Sequence, residues 1–276
     1  MDYDSITYEQ LGDHVVRLTL NRPDKLNAMN GQLLHEFDRA LDDFEGDRDA
    51  SVLIIRGAGR AFCAGYDLQP QPGGGGGLGT LTVTADRLNV QKFIERWQRL
   101  WTLPKPTIAQ VHGYCLAGGT ELAGHCDLAI AADDAQFGHP AGRALGVLPS
   151  LSLWPYLIGM RKSKELFFTG DLLGAAEALE WGLINRVVPR ERLDEETLAL
   201  ARRIAMVPLD LLTLHKAAVN RFYEVMGLRA AEQSAADLDV IAHQTPAVKQ
   251  WAKTSREQGL KAALAARDQP FVNRQT

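Results

Sequence analysis

A turn of small residues stands directly before one glutamate in the segment Ala117-Gly118-Gly119-Thr120-Glu121. The pattern predicts a helix that begins near Gly118, where backbone N–H groups carry partial positive charge. A carboxylate three residues on lies about 4.5 Å along the axis, and helical side chains lean toward the N-terminus. An electrophilic pole beside a proton acceptor suits proton transfer next to a carbonyl. Considered alone, the segment equally fits a helix start selected for close packing.

Two further segments could complete such a site. Residues 60–68 read Arg-Ala-Phe-Cys-Ala-Gly-Tyr-Asp-Leu after a predicted strand, and their small Ala-Gly pair lets backbone approach a ligand closely. Residues 137–149 are rich in glycine and proline and include His139 and Arg143. Each segment alone also fits an ordinary loop.

The local trio His125-Cys126-Asp127 does not predict a metal site, because no further ligand stands at metal-binding spacing. His112, at the end of a predicted strand, is expected to be structural. The sequence holds neither the GxSxG nucleophile turn nor the glycine-lysine phosphate loop. We therefore expect no metal ion.

Short apolar runs alternate with helical patterns in the first part of the chain. Strands are predicted at 15–20, 51–56, 107–111 and 128–132. Helices are predicted after an N-cap at Asn30, over 87–100, and from Gly118 onward. Strands that alternate with helices favour an α/β core with parallel pairing.

The second part of the chain changes character after residue 190. Helices are predicted over 193–207, 209–224, 228–244 and 247–268. We therefore divide the chain into an α/β core at 1–192 and a C-terminal helical region at 193–276. Within the core, the glycine run in residues 70–80 predicts a mobile segment. The helix at 87–100 is expected to lie as a flap over the residues near Gly65 and Tyr66.

The bulk composition narrows the class of protein. With 276 residues and a net charge of −4, the chain has no polyanion-binding footprint, so no nucleic-acid partner is expected. No apolar run approaches the ~20 residues of a membrane span. The acidic N-terminus lacks the apolar stretch of a signal peptide. Three cysteines without CxxC spacing favour a reducing compartment, so we expect a cytoplasmic protein.

In order along the chain, these segments resemble the enoyl-CoA hydratase/isomerase family, the crotonase superfamily. The resemblance runs from Val15 to the C-terminus, and ordered matches over this length are more specific than any single motif. The matching segments are Leu20-Asn21-Arg22-Pro23, Asn27-Ala28-Met29, 61–68, 113–121, Cys126-Asp127, 135–138, 166–171, 175–178 and 182–185.

The resemblance implies a fold, an assembly and a substrate. The fold is an α/β spiral of repeated β-β-α units with a C-terminal helical trimerisation region, and the assembly is a homotrimer or homohexamer. The substrate is an unsaturated acyl thioester of coenzyme A. Because the coenzyme A is part of this substrate, no separate cofactor is expected.

The resemblance also assigns site residues. It places the thioester oxygen between the backbone amides of Tyr66 and Gly118, and it gives Glu121 the first of two acid/base positions used by hydratases. Lys25 is the candidate for a coenzyme A phosphate. Substrate contacts are expected at Lys25, Ala64, Asp67, Leu68, His139 and Ala141.

The chain departs from the family pattern at the second acid/base position, which here is Ala141. Hydration needs one group to activate water and a proton for the α-carbon, whereas one carboxylate suffices to move a double bond. The lone Glu121 favours isomerase chemistry, and the overall resemblance favours a hydratase, so both stay open. His139 and Arg143 are the polar candidates to replace the missing carboxylate. A catalytically weak acyl-CoA-binding protein is the other alternative.

Overall fold

The computed structural model of the chain describes residues 3–69, 79–147 and 153–272. The glycine run at 73–77, predicted to be mobile, lies outside the described residues, as do Leu148 and Pro149 of the predicted loop. The strands are β1 Ile6–Gln10, β2 Val15–Leu20, β3 Val52–Gly57, β4 Ala61–Cys63, β5 Thr107–Val111, β6 Tyr114–Leu116, β7 Leu128–Ala132, β8 Gln136–Gly138, β9 Leu172–Gly174 and β10 Arg186–Val188. The helices are α1 Gly31–Gly46, α2 Val83–Thr102, α3 Gly118–His125, α4 Trp154–Thr169, α5 Ala175–Trp181, α6 Leu193–Ala205, α7 Leu209–Val225, α8 Leu228–His243, α9 Pro246–Gln258 and α10 Leu260–Val272.

The strands form two sheets that the chain visits alternately. The larger sheet has the order β1-β2-β3-β5-β7-β10 and is parallel except for β1. The smaller sheet has the order β4-β6-β8-β9, with β9 antiparallel to β8. The unit of one strand in each sheet followed by a helix recurs as β3-β4-α2, β5-β6-α3 and β7-β8-α4. This succession confirms the predicted spiral of β-β-α units.

The larger sheet is covered on both faces. In β3, Leu53 and Ile55 join the main core cluster, while Val52 and Ile54 face a second cluster that includes Leu193 of α6. Successive strand residues point to opposite faces, so a strand buried on both sides reads as a continuous apolar run. The first C-terminal helix is thus packed on the sheet of the core.

Helix α1 begins where the sequence predicts. The Asn30 side chain accepts a hydrogen bond from the Leu33 amide at 2.9 Å, which satisfies one of the orphan amides of the first turn. The predicted apolar positions Leu33, Phe37 and Leu41 are buried. The helix therefore covers the core with the face that its periodicity indicates.

The C-terminal end departs from the prediction. The single helix expected over 247–268 is two helices, α9 and α10, which are separated at Gly259. That residue has φ +86° and ψ 159°, a conformation that only glycine adopts readily. The helical periodicity on both sides hides such a break. No helix in the described residues is both long and apolar enough to span a membrane.

Candidate active site

The two segments that the sequence singles out meet at one edge of the smaller sheet. Strands β4 and β6 are parallel neighbours, with Cys63 paired to Cys115, so their carboxyl ends point the same way. A Cβ atom added at Gly65 would lie 3.1 Å from the Gly118 amide nitrogen, and φ is +100° there. Glycine at this position allows the loop after β4 to touch the start of α3.

Two backbone amides remain uncommitted at this junction. Their neighbours are engaged: the Ala64 amide donates to Leu26 O at 2.9 Å and the Asp67 amide to Met29 O at 3.0 Å. In the described part of the chain, the amides of Tyr66 and Gly118 have no hydrogen-bond acceptor. Two N–H groups on adjoining segments can together bind one oxygen atom of a ligand.

The turn into α3 is strained. Ala117 has φ 49° and ψ −121°, a region that residues with a Cβ rarely occupy and that costs of the order of 1–3 kcal/mol. Its carbonyl oxygen accepts both the amide and the hydroxyl of Thr120, at 2.8 Å and 2.6 Å. These bonds hold the reversal that turns the Gly118 amide away from the helix interior.

Glu121 is 1% exposed, and its carboxylate is bonded to the phenol of a predicted site residue. The Tyr66 hydroxyl donates to Glu121 Oε2 at 2.7 Å and accepts from Trp97 Nε1 at 2.9 Å. Burial, followed by the charge of Glu121, raises the pKa of Tyr66 well above its ordinary value. The phenol therefore stays protonated as the donor to Glu121.

The predicted flap over Tyr66 is confirmed. Helix α2 packs Phe93 against the Tyr66 ring with centroids 4.4 Å apart, and Trp97 bonds its hydroxyl. The sequence predicts a role for the Tyr66 amide only, and neither the phenol nor Trp97 is among the predicted site groups. Nothing in the spacing of the helix distinguishes Trp97 from an ordinary core tryptophan.

The loop after β8 reaches the same edge, because the Ala117 amide donates to Gly138 O at 2.9 Å. On this loop His139 is buried, and burial lowers its pKa to about 4, so its imidazole is neutral at neutral pH. Its Nε2 atom lies 3.3 Å from Gly146 O. Within the described residues, its Nδ1 atom has no partner.

Ala141 and Arg143 face the C-terminal helices. Ala141 packs on the apolar cluster that includes Trp251. The Arg143 guanidinium donates to Thr169 O, Asp171 and Asp268. These contacts give Arg143 a structural role in joining the loop to α4 and α10, so His139 is the remaining polar candidate on this loop.

The predicted binding residues of the first loops lie side by side. Arg22 Nη2 donates to Asp67 Oδ2 at 3.0 Å, which joins the turn that carries Lys25 to the loop after β4. Lys25 and Leu68 are exposed, whereas Ala64 is half-buried. Asp67 is thus committed to an ion pair, whereas Lys25 is accessible to a ligand.

An acidic residue that no motif in the sequence indicates lies on α8. Asp239 Oδ1 accepts the Val147 amide at 2.7 Å and lies 3.4 Å from His243 Nε2, and His243 Nδ1 is 2.8 Å from Asp86. Burial raises the pKa of Asp239 to about 7, and the charge of Glu121 adds to the shift. A carboxyl group that can hold a proton at neutral pH therefore stands within electrostatic reach of Glu121.

Comparison with known proteins gives consistent matches along the whole chain. The model of the family described as "Enoyl-CoA hydratase/isomerase" matches residues 10–273. A protein of Rhizobium meliloti named "Probable enoyl-CoA hydratase" is 36% identical over 99% of the chain and its own full length. A probable enoyl-CoA hydratase of Mycobacterium bovis is 40% identical over 81% of the chain and 84% of its own length.

Solved structures give the same result. The crystal structure of an enoyl-CoA hydratase/isomerase from Xanthobacter autotrophicus Py2 has a TM-score of 0.89 and 38% identity, over 98% of this chain and 99% of that one. An enoyl-CoA hydratase from Mycobacterium smegmatis also has a TM-score of 0.89, with 33% identity over 98% and 95% of the two chains.

Proposed function

The chain belongs to the enoyl-CoA hydratase/isomerase family, and from that membership we propose that it converts unsaturated acyl thioesters of coenzyme A by proton transfer at Glu121. The observation that carries the proposal is the pair of uncommitted amides, on Tyr66 and Gly118, beside this buried carboxylate. The amides receive the thioester oxygen, and the carboxylate acts on the carbon next to the carbonyl.

The chemistry follows from this geometry. Removal of a proton from the α-carbon moves negative charge onto the thioester oxygen, where two amide donors each contribute roughly 2.7–4 kcal/mol of barrier stabilisation. The partial positive charge at the start of α3 adds to them. Glu121 takes the proton from one carbon and returns it at another, so the double bond moves and the protein is regenerated.

The residue at position 141 favours isomerisation over hydration. Alanine there can neither activate water nor donate a proton. We therefore propose double-bond migration, from a 3-enoyl to a 2-enoyl thioester, as the main reaction.

Hydration is the second candidate, and Asp239 is the observation in its favour. Its pKa of about 7 is suited to an acid near neutral pH. The names of the relatives also point to hydratases.

Helix α7 carries a candidate surface for assembly. Helix α7 exposes Leu214, Phe222 and Val225, and exposed apolar groups of this kind mark protein interfaces. We propose that this face joins copies of the chain into a trimer or hexamer, which sedimentation velocity would measure.

The three cysteines are buried and free. Reduced cysteines are typical of cytoplasmic proteins, so we propose a cytoplasmic location.

A direct assay tests the reaction. The protein is given a short trans-2-enoyl-CoA and a 3-enoyl-CoA in turn, and the absorbance of the conjugated thioester is followed. An absorbance rise with the 3-enoyl thioester supports isomerisation, and a fall with the 2-enoyl thioester supports hydration. Measurable binding of both without any change would leave only the alternative of a non-catalytic acyl-CoA-binding protein.

A further inference from the structure

A directional chain of hydrogen bonds ends at the carboxylate of Glu121. The Trp97 indole nitrogen can only donate, so its 2.9 Å contact makes the Tyr66 oxygen an acceptor. The single phenol proton is then directed to Glu121 Oε2 at 2.7 Å. The direction of both bonds is fixed by the donor inventory of the groups themselves.

The surrounding packing prevents the phenol from turning away. Trp97 is fully buried and lies edge-to-face with Phe37 at 6.1 Å between centroids. Phe93 contacts the Tyr66 ring from α2 at 4.4 Å. A Cβ atom added at Gly118 would lie 2.9 Å from the ring, at Cε2. The ring is thus enclosed between the flap helix and the start of α3.

A hydrogen-bond donor at this place affects both the ionisation and the orientation of the buried Glu121 carboxylate. An ionised carboxylate removed from water is costly unless it accepts hydrogen bonds. A charge-assisted bond to a fixed donor offsets part of this cost, and it is stronger to the anion than to the neutral acid. The fixed bond also restricts rotation of the carboxylate.

We infer that the Tyr66 hydroxyl, held by the Trp97 indole, is a positioning group that keeps Glu121 oriented and ionised for proton removal. This rests on the proposed role of Glu121 as the acid/base group. Tyr66 thus contributes twice, through its amide to the thioester oxygen and through its phenol to the carboxylate. The phenol acts through Glu121 and transfers no proton to the substrate.

The test substitutes Tyr66→Phe, which keeps the ring and the amide and removes the hydroxyl. Because a hydrogen bond to a charged group is lost, kcat should fall about 10- to 100-fold. KM should stay within about threefold, since the ring and the amide are unchanged. The acid limb of the kcat/KM profile should move to higher pH, because the carboxylate loses a donor that favours its ionised form.

Two companion variants separate positioning from general damage. Tyr3→Phe is the matched control, since Tyr3 donates to Asp43 at 2.5 Å in a similar phenol–carboxylate bond outside the site; its kinetics should equal those of the unsubstituted protein. Trp97→Phe keeps both site residues and removes the donor that orients the phenol. A smaller loss of kcat with a shift of the acid limb in the same direction is expected there.

The possible outcomes are distinct. An unchanged kcat and an unchanged pH profile in folded Tyr66→Phe would overturn the positioning role and leave the proposed reaction standing. Should that variant fail to fold, Trp97→Phe decides by the same two readouts. If the unsubstituted protein turned over neither thioester, the proposed function would fail and the positioning role with it.

Discussion

Gly119 lies against the carbonyl oxygen of Cys63, so closely that a Cβ atom added there would stand 2.3 Å from that oxygen. The contact joins the first turn of α3 to the end of β4. Gly118 directly precedes Gly119, and Tyr66 follows Cys63 by three residues, so the contact limits how far apart their two amides can lie. The absence of a side chain at position 119 is therefore part of the proposed thioester site.

Gly119→Ala should separate the two segments. Backbone atoms cannot yield as a flexible side chain does, so the α3 turn and the loop after β4 must move apart. We expect a loss of kcat/KM of about 10²-fold or more, which is the typical effect of removing one hydrogen-bond donor from an oxyanion site. Gly124→Ala on the same helix is the control, since its Cβ would lie 3.8 Å from Leu153 Cδ2. Equal kinetics of both variants would contradict the account.

Ala141→Glu tests the missing carboxylate. If its absence limits hydration, the variant should hydrate a 2-enoyl thioester faster, within the 10²–10⁴-fold range of a general acid–base group. Ala144→Glu is the control, because both alanines pack on the same apolar cluster and should suffer a similar loss of stability. If both variants hydrate equally slowly, His139 or a differently shaped pocket becomes the explanation.

The sequence could predict local structure and the backbone of the site, but few of the long-range contacts. The Asn30 cap and the start at Gly118 follow from nearest-neighbour chemistry, whereas the pairing of the Tyr66 and Gly118 amides is predicted only from the family resemblance. The bond from Tyr66 to Glu121 joins residues 55 positions apart. Asp239 belongs to a C-terminal helix, and the α/β pattern of the core does not predict that this helix lies near the site. Spacing along one element carries no information on which partner lies across from it.

His139→Gln should reduce the sensitivity of the fold to acid. The folded pKa of His139 is about 4, below the unfolded value near 6.5. Between these values the unfolded chain binds the proton and the folded protein does not, so stability falls as the pH drops from 6.5 toward 4. Urea unfolding at pH 7.5, 6 and 5 should show a smaller decline for the variant. An identical decline would mean that the imidazole is not held neutral.

Asp239→Asn should act with the opposite pH dependence. The folded pKa of Asp239 is raised to about 7, so the stability that this group contributes is complete below its unfolded value and is lost as the pH rises through 7. At pH 8 the variant should unfold at a higher temperature than the unsubstituted protein. This difference in unfolding temperature should become smaller as the pH is lowered toward 4. Asp237→Asn, on the exposed side of α8 beside Arg87, should show no such trend. A constant difference across this range would contradict the raised pKa.

The most direct test of the central claim is the turnover of Glu121→Gln measured beside its affinity for the same acyl-CoA. In the proposed mechanism the amides of Tyr66 and Gly118 bind the thioester and Glu121 moves the proton, so kcat should fall by about 10²–10⁴-fold. The dissociation constant from calorimetry should remain nearly unchanged. Turnover equal to that of the unsubstituted protein, in a folded variant, would show that the proton is moved by another group.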